Sequence, residues 1–371
     1  DGTEMDYYSA VDSDKDGNFI SAIVTNSNNG DFSQFSSKKL ATPYSVLTKY
    51  NAKGTVDWSI AVGSRAGNHV ITDVVCTPDG GFYAVGYGTN IGGEFTPYDY
   101  FYDCFVYKYD SNGKELWHQI FQTTTVDVFS SAALTSDGGI VAVGSVGNND
   151  LDAAGFKTPK YESALCAVKY SSNGKLLWKN IFGGKSDSLE DVCVGTDANI
   201  YCVGNFYSGK LFKNLGKKSD GGVVKLSSSG KLLSSVPLAG NNTDYFSGIT
   251  ACKNGGVAVV GRSNSTDSNS PDSIFTGDMA SRGGYDSYII KLNEDLSIAF
   301  AKPFRGQNDD DLVDIIERDD GTFVATGSSN SSSRDFKGIT TRGGDDMVIA
   351  AFDMYGNLKW ARSFGGTADE T

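Results

Sequence analysis

The chain has 371 residues and carries 45 acidic against 32 basic side chains, a net charge of −13 at neutral pH. So acidic a surface repels phosphate backbones, and Lys and Arg form no basic stripe, so no nucleic-acid partner is expected. No run reaches the ~18 apolar residues of a membrane span, so no membrane insertion is expected either.

This length ordinarily means two or three domains, unless an internal repeat accounts for it. The chain opens at Asp1 without an initiator Met or a signal-like segment, the pattern of a removed leader or of excision from something longer. With 45 Gly, 19 Tyr, 21 Phe and only 7 Pro, short Val/Ile/Tyr/Phe runs alternate with Thr/Ser/Asn/Asp clusters. That texture predicts an all-β protein with many turns. The six cysteines (Cys76, Cys104, Cys166, Cys193, Cys202, Cys252) follow no metal or disulfide-framework spacing. Most replace Val or Ala in predicted strands and read as small buried hydrophobes. Only Cys193 and Cys202 are placed to face each other, across the turn at 196–199.

All four tryptophans occupy one slot of a repeat. Trp58, Trp117, Trp178 and Trp360 each stand four residues after a turn glycine, Gly54, Gly113, Gly174 and Gly356, and Ser234 and Phe300 fill the slot elsewhere. Successive slots are 59, 61, 56, 66 and 60 residues apart, so six copies use up the chain. Their approximate bounds are 1–63, 64–122, 123–184, 185–240, 241–306 and 307–366, read as one domain over 1–371.

Each copy reads as four strands. The first is short and apolar, as at 73–76. An Asp-Gly type turn follows at Asp79-Gly80, Asp137-Gly138, Asn254-Gly255 and Asp320-Gly321, pairs that suit a two-residue hairpin. The second strand ends in glycine, as in Gly86 and Gly261, and a long polar loop comes next. The third strand contains a Lys, and an Asn-Gly type turn leads to the fourth, which bears the tryptophan slot. Four antiparallel strands repeated six times predict a β-propeller of six four-stranded blades. The tail Gly365-Gly366-Thr367-Ala368-Asp369 matches Gly183-Gly184-Lys185-Ser186-Asp187, the lead-in to another copy. A seventh blade is therefore the alternative count, with six favoured.

The stretch Gly327-Ser328-Ser329-Asn330-Ser331, Arg334-Asp335-Phe336, Gly343-Gly344-Asp345-Asp346, Gly356-Asn357 and Phe364-Gly365-Gly366 resembles the SBBP repeat. The copy from Gly261 to Gly306 is similar, and all six keep a loop phenylalanine: Phe32, Phe95, Phe156, Phe212, Phe275 and Phe336. A weaker likeness to Kelch repeats lies in the glycine closing strand two and the late tryptophan. The fourth copy departs, having lost its tryptophan and its double-glycine turn. The resemblance implies a β-propeller on the surface of, or secreted by, a bacterium; it names no ligand.

Three features are candidates for function. An aspartate stands five residues before the strand-one apolar anchor in five copies, Asp6, Asp127, Asp187, Asp244 and Asp310, and His69 takes the sixth slot. These form either an acidic ring that holds a cation or cationic ligand, or architectural acceptors of backbone N–H groups. A once-per-repeat residue favours architecture. The segment Asp12-Ser13-Asp14-Lys15-Asp16-Gly17 has the alternating carboxylates of a Ca²⁺ loop, although it lacks a distal Glu and sits where Asp-Gly suits a turn. The aromatic loop with Tyr98, Tyr100 and Tyr102, flanked by Tyr87 and Phe95, offers either a stacking platform or packing beneath its own loop. A further set, Asp103, Asp220, Asp286 and Asp346, precedes the strand-three Lys and is assigned no chemistry.

Long loops after strand two and the inter-blade links share one end of each blade, where recognition is expected. The chain has only two histidines, His69 and His118, and contains no nucleophile elbow, zinc helix or phosphate loop. The leading expectation is a secreted or cell-surface binding module for protein or glycan, requiring no cofactor beyond possible Ca²⁺. The alternatives are a carboxylate-based glycan hydrolase or lyase, and a rigid assembly subunit without a small ligand.

Overall fold

The structure, a computed structural model, describes residues 2–91, 101–147, 151–154, 163–207, 209–212, 218–266, 273–339 and 342–369. The fold is an all-β propeller of six blades, each a four-stranded antiparallel sheet in sequential order. The blades span 6–62, 69–121, 127–182, 188–238, 244–304 and 310–364. The chain forms two compact units of three blades each, Asp1–Phe182 and Gly183–Thr371.

Alternation explains which strand goes where. Strands two and three of the middle blades are buried on both faces, as in Asp103–Tyr109 and Asp286–Leu292. Fourth strands such as Leu176–Phe182 are exposed at their start and more buried toward their end. The first strands of blades two, five and six carry buried apolar residues at the third and sixth positions: Ile71 and Val74, Phe246 and Ile249, Leu312 and Ile315. Between those positions each first strand has a β-bulge, for example between Phe246 and Gly248.

The bulge accounts for the glycine that ends strand two. A Cβ on Gly261 would stand 2.1 Å from the Tyr245 carbonyl oxygen and 2.6 Å from Phe246 Cα, and Gly86, Gly144, Gly204 and Gly327 are equally confined. Blade one has Ile23 there instead. Trp58 and Trp117 join neighbouring blades. Trp58 Nε1 donates to the Ser111 carbonyl at 3.2 Å and Trp117 Nε1 to Ser172 at 2.9 Å, each in the hairpin turn of the next blade. Turn glycines Gly113 and Gly174 lie flat against those indoles. The strand-three lysines are buried too. Lys169 Nζ meets Asp137 at 2.7 Å and Lys225 meets Asp197 at 2.8 Å, each aspartate lying in the turn between strands one and two. Hydrogen bonds from Lys169 and Thr135 hold the Asp137 carboxyl down at about 2.

Two expectations change at this level. The Asp-Gly turns are three-residue loops: Thr77 N–H donates to the Gly81 carbonyl and Gly80 N–H to Thr77. Only the glycine has positive φ, +80° at Gly80, so this is a type I turn completed by a left-handed residue. In blade four Ala198 holds that conformation at φ 59°. The cysteines are all free. Cys193 pairs with Tyr201 and Cys202 with Val192, an offset of one residue that turns the two thiols to opposite faces of the sheet. The loop phenylalanines Phe32, Phe212, Phe275 and Phe336 are buried under their own loops; Phe95 and Phe156 lie outside the described residues.

Gly261→Ala is expected to lower the unfolding free energy by about 2–4 kcal/mol, since the added methyl meets backbone that has nowhere to move. Ala198→Gly is expected to raise it by about 1 kcal/mol by relieving a left-handed non-glycine residue. Urea denaturation of both variants checks the pair.

Candidate functional site

The once-per-repeat aspartates point into protein. Asp127 accepts the Thr123 and Gly147 N–H groups and the Thr123 hydroxyl. Asp187 accepts the N–H groups of Gly184 and Tyr207, both at 2.8 Å. Asp244 accepts Gly240 N–H and the hydroxyls of Ser263 and Ser265, and Asp310 accepts Gly306 N–H and the Ser329 hydroxyl. Asp6, half-buried, takes Gly2 N–H and the Thr25 hydroxyl. His69 is buried, with Nδ1 3.2 Å from the Gly67 carbonyl oxygen and its ring near Phe105. Each carboxylate thus ties the chain entering a blade to the end of that blade's second strand.

These carboxyls sit beside the second acidic set. Asp127 N–H donates to the Tyr102 carbonyl, Asp244 to Ser219 and Asp310 to Tyr285, each next to Asp103, Asp220 or Asp286. Burial first, and the neighbouring Asp103 or Asp220 after it, push Asp127 and Asp244 up to about 7; burial and Asp286 push Asp310 to about 6.

At the blade-one turn, Asp14 accepts Asp16 N–H, Asn18 N–H and Asn18 Nδ2. Asp12 Oδ2 accepts Cys76 N–H from the next blade at 2.7 Å, and Asp16 is exposed. Among the described residues no three His, Cys, Asp or Glu side chains gather as a metal site.

Aromatic side chains do gather, at the end of the blades from which the long loops leave. Tyr87 and Tyr102 meet edge to face at 5.1 Å, and Tyr7 lies close enough to act on Tyr87. Phe95, Tyr98 and Tyr100 lie outside the described residues. A fuller cluster stands in the second unit. Arg262 spreads over Tyr285 at 4.9 Å and Tyr245 at 5.6 Å, and its Nη1 pairs with Asp311 at 2.9 Å. Tyr207, about half exposed, brings its hydroxyl 3.3 Å from that of Tyr245. The bond to Tyr207 and burial push the Tyr245 phenol to about 12, so it stays neutral.

The two clusters use the same repeat positions. Tyr87 and Arg262 follow the strand-two glycine; Tyr102 and Tyr285 precede the strand-three aspartate; Tyr7 and Tyr245 are second in strand one. Reading the residues that flank those landmarks, copy by copy, would have exposed Tyr245, Arg262 and Tyr285. Such a surface offers aromatic faces for stacking, a guanidinium and a carboxylate for hydroxyl or amide groups.

The buried aspartates give a signed pH dependence. Their folded pKa values lie above the ordinary 3.8, so the stability they contribute is full below about pH 4 and is lost as pH rises to about 7. The urea midpoint is expected to fall between pH 4.5 and 7.5, and Asp244→Asn to flatten the slope. A midpoint rising over that window would contradict the assignment.

No protein-family model matches the chain, and no curated protein does. Among solved structures, the chain is similar to an ulvan lyase, a polysaccharide lyase solved with a GlcA–Rha3S glycan. That match has 11% identity over 93% of this chain and 80% of that one, with a TM-score of 0.53. The WD40 domain of Neurospora crassa Pan2 matches at 10% identity over 98% of this chain and 79% of that one, TM-score 0.52. A Bacteroides caccae protein of unknown function matches at 13% identity over 86% and 90%, TM-score 0.47. At such identities the likeness to the first two shows the propeller fold alone.

Proposed function

We propose that the protein is a recognition module, of a secreted or cell-surface kind, that holds a glycan on tyrosine clusters at the loop end of its blades. One observation carries this reading: Arg262 is fixed over two tyrosine rings by its ion pair with Asp311, with half-exposed Tyr207 beside them. A sugar's apolar face stacks on such rings while its hydroxyls bond Arg and Asp. The likeness of the repeat to SBBP repeats supports the extracellular setting. The once-per-repeat aspartates are engaged by backbone N–H and hydroxyl donors, which favours binding over carboxylate catalysis.

A glycan and peptide array, run with and without EDTA, identifies the ligand class. Tyr285→Ala is expected to weaken binding by about 1–2 kcal/mol, roughly five- to thirtyfold, with Tyr87→Ala a lesser effect. Unchanged affinity in the double variant Tyr245→Ala/Tyr285→Ala would remove the cluster from the proposal. Calcium at 12–16 is tested separately: a Tm that rises with added Ca²⁺, and no longer does so in Asp14→Ala, supports an ion there, whereas an unmoved Tm dismisses it.

A further inference from the structure

The junctions inside each unit are built from the same parts, and the outer face of blade six carries those parts uncovered. At a covered junction, the second residue of strand three packs on the third residue of the next inner strand. Cys104 clusters with Phe129 in this way, and a Cβ on Gly221 would stand 2.3 Å from the Phe246 ring. The residue ending strand four is enclosed as well, Phe304 being 1% exposed. On blade six the same positions hold Met347 and Phe364, 45% and 49% exposed, with Trp360 in the tryptophan slot at 44%. The strand-two valines that bury at other junctions, such as Val203 and Val260, have exposed Thr326 as their counterpart. A groove of about 460 Å³ runs beside this face, lined by Ile339, Arg342, Ala361, Arg362 and Phe364 among others.

Two polar features specify what would cover it. An aspartate immediately after the inner-strand bulge is an acceptor for the next blade: Asp73 Oδ2 takes Ala132 N–H at 2.8 Å and Asp191 Oδ2 takes Ile249 N–H at 2.8 Å, each donor being sixth in its strand. Asp314 is the blade-six equivalent, and among the described residues only its neighbour Ile315 donates to it. The tail, moreover, already takes the course of an inter-blade link. Asp309 Oδ1 accepts Tyr285 N–H at 2.8 Å where 305–309 pass from blade five to blade six, and Asp369 Oδ1 accepts Asp345 N–H at 3.1 Å in the same way. Gly343 and Gly344 hug 367–369 as Gly283 and Gly284 hug 307–309.

We propose that the outer face of blade six docks one further four-stranded copy of this repeat, entered through residues 365–369. The occupant is defined by its inner strand. It presents apolar residues at positions three and six to Met347, Thr326 and Phe364, and its sixth N–H to Asp314.

The test extends the full chain after Thr371 with a copy of residues 312–366, which continues the repeat in register. Hydroxyl-radical footprinting then reads Met347 and Trp360. Their reactivity is expected to fall by roughly an order of magnitude, as a change from half-exposed to buried requires. Asp314→Ala is expected to lower the Tm of the extended protein and leave that of the present chain unmoved. Undiminished reactivity in the extended protein overturns the proposal. So does protection already present in the unextended chain, where sedimentation velocity assigns the cover to a second copy if dimeric or to the chain's own first blade if monomeric. The double variant Trp360→Ser/Phe364→Ser of the unextended chain is independent of whether the extension folds. An unchanged Tm is expected, and a marked loss overturns the proposal.

Discussion

A four-stranded β-sheet has two faces and cannot bury either alone; within each unit, a blade presses its inner strand into the strands of the blade before it. That single contact sets the third and sixth positions of strand one as apolar, Phe246 and Ile249 or Leu312 and Ile315. The bulge between those positions brings backbone so close to strand two that only a glycine such as Gly261 fits opposite. The indoles of Trp58 and Trp117 serve the same contact farther out, by reaching a carbonyl in the adjacent hairpin. The tryptophan periodicity is thus the visible trace of an inter-blade bond.

Polar groups follow from the same packing. Where a link enters a blade, backbone N–H groups are cut off from water and require acceptors. The aspartates Asp127, Asp187, Asp244 and Asp310 meet that need, and burial raises the carboxyl pKa values of Asp127, Asp244 and Asp310. The strand-three lysines reach back to the strand-one turn and find Asp137 or Asp197. The positions flanking them differ from copy to copy, and there the tyrosines and Arg262 cluster.

Fold class, blade number and strand order were legible because they rest on local pattern: turn residues, short apolar runs and one aromatic slot per copy. The aspartates were found for the same reason, and their recurrence once per copy favoured the backbone-accepting role they have; the particular donors around each were not legible, since sequence spacing fixes a residue's place along a strand without fixing its neighbours in space. Asp12 illustrates this: the sequence places it beside Asp14 and Asp16, and only the structure brings its oxygen to Cys76 N–H of the next blade, 64 residues away. The Asp-Gly pairs announced turns correctly, but the positive φ of the glycine alone, without that of the aspartate, made them three-residue loops. The thiols of Cys193 and Cys202 were separated by a pairing offset of a single residue.

The sequence by itself determined the repeat, its period and the chemical identity of every landmark, because those depend on backbone conformational preference and on burial that recurs in each copy. Only the tertiary structure decided which side chains from different copies stand together. Tyr207, Tyr245, Tyr285, Arg262 and Asp311 come from three consecutive blades, and no periodicity within one blade specifies a meeting among them. The physical reason is that a cluster of this kind is made by the packing of one sheet on the next, an interaction between residues distant in the chain.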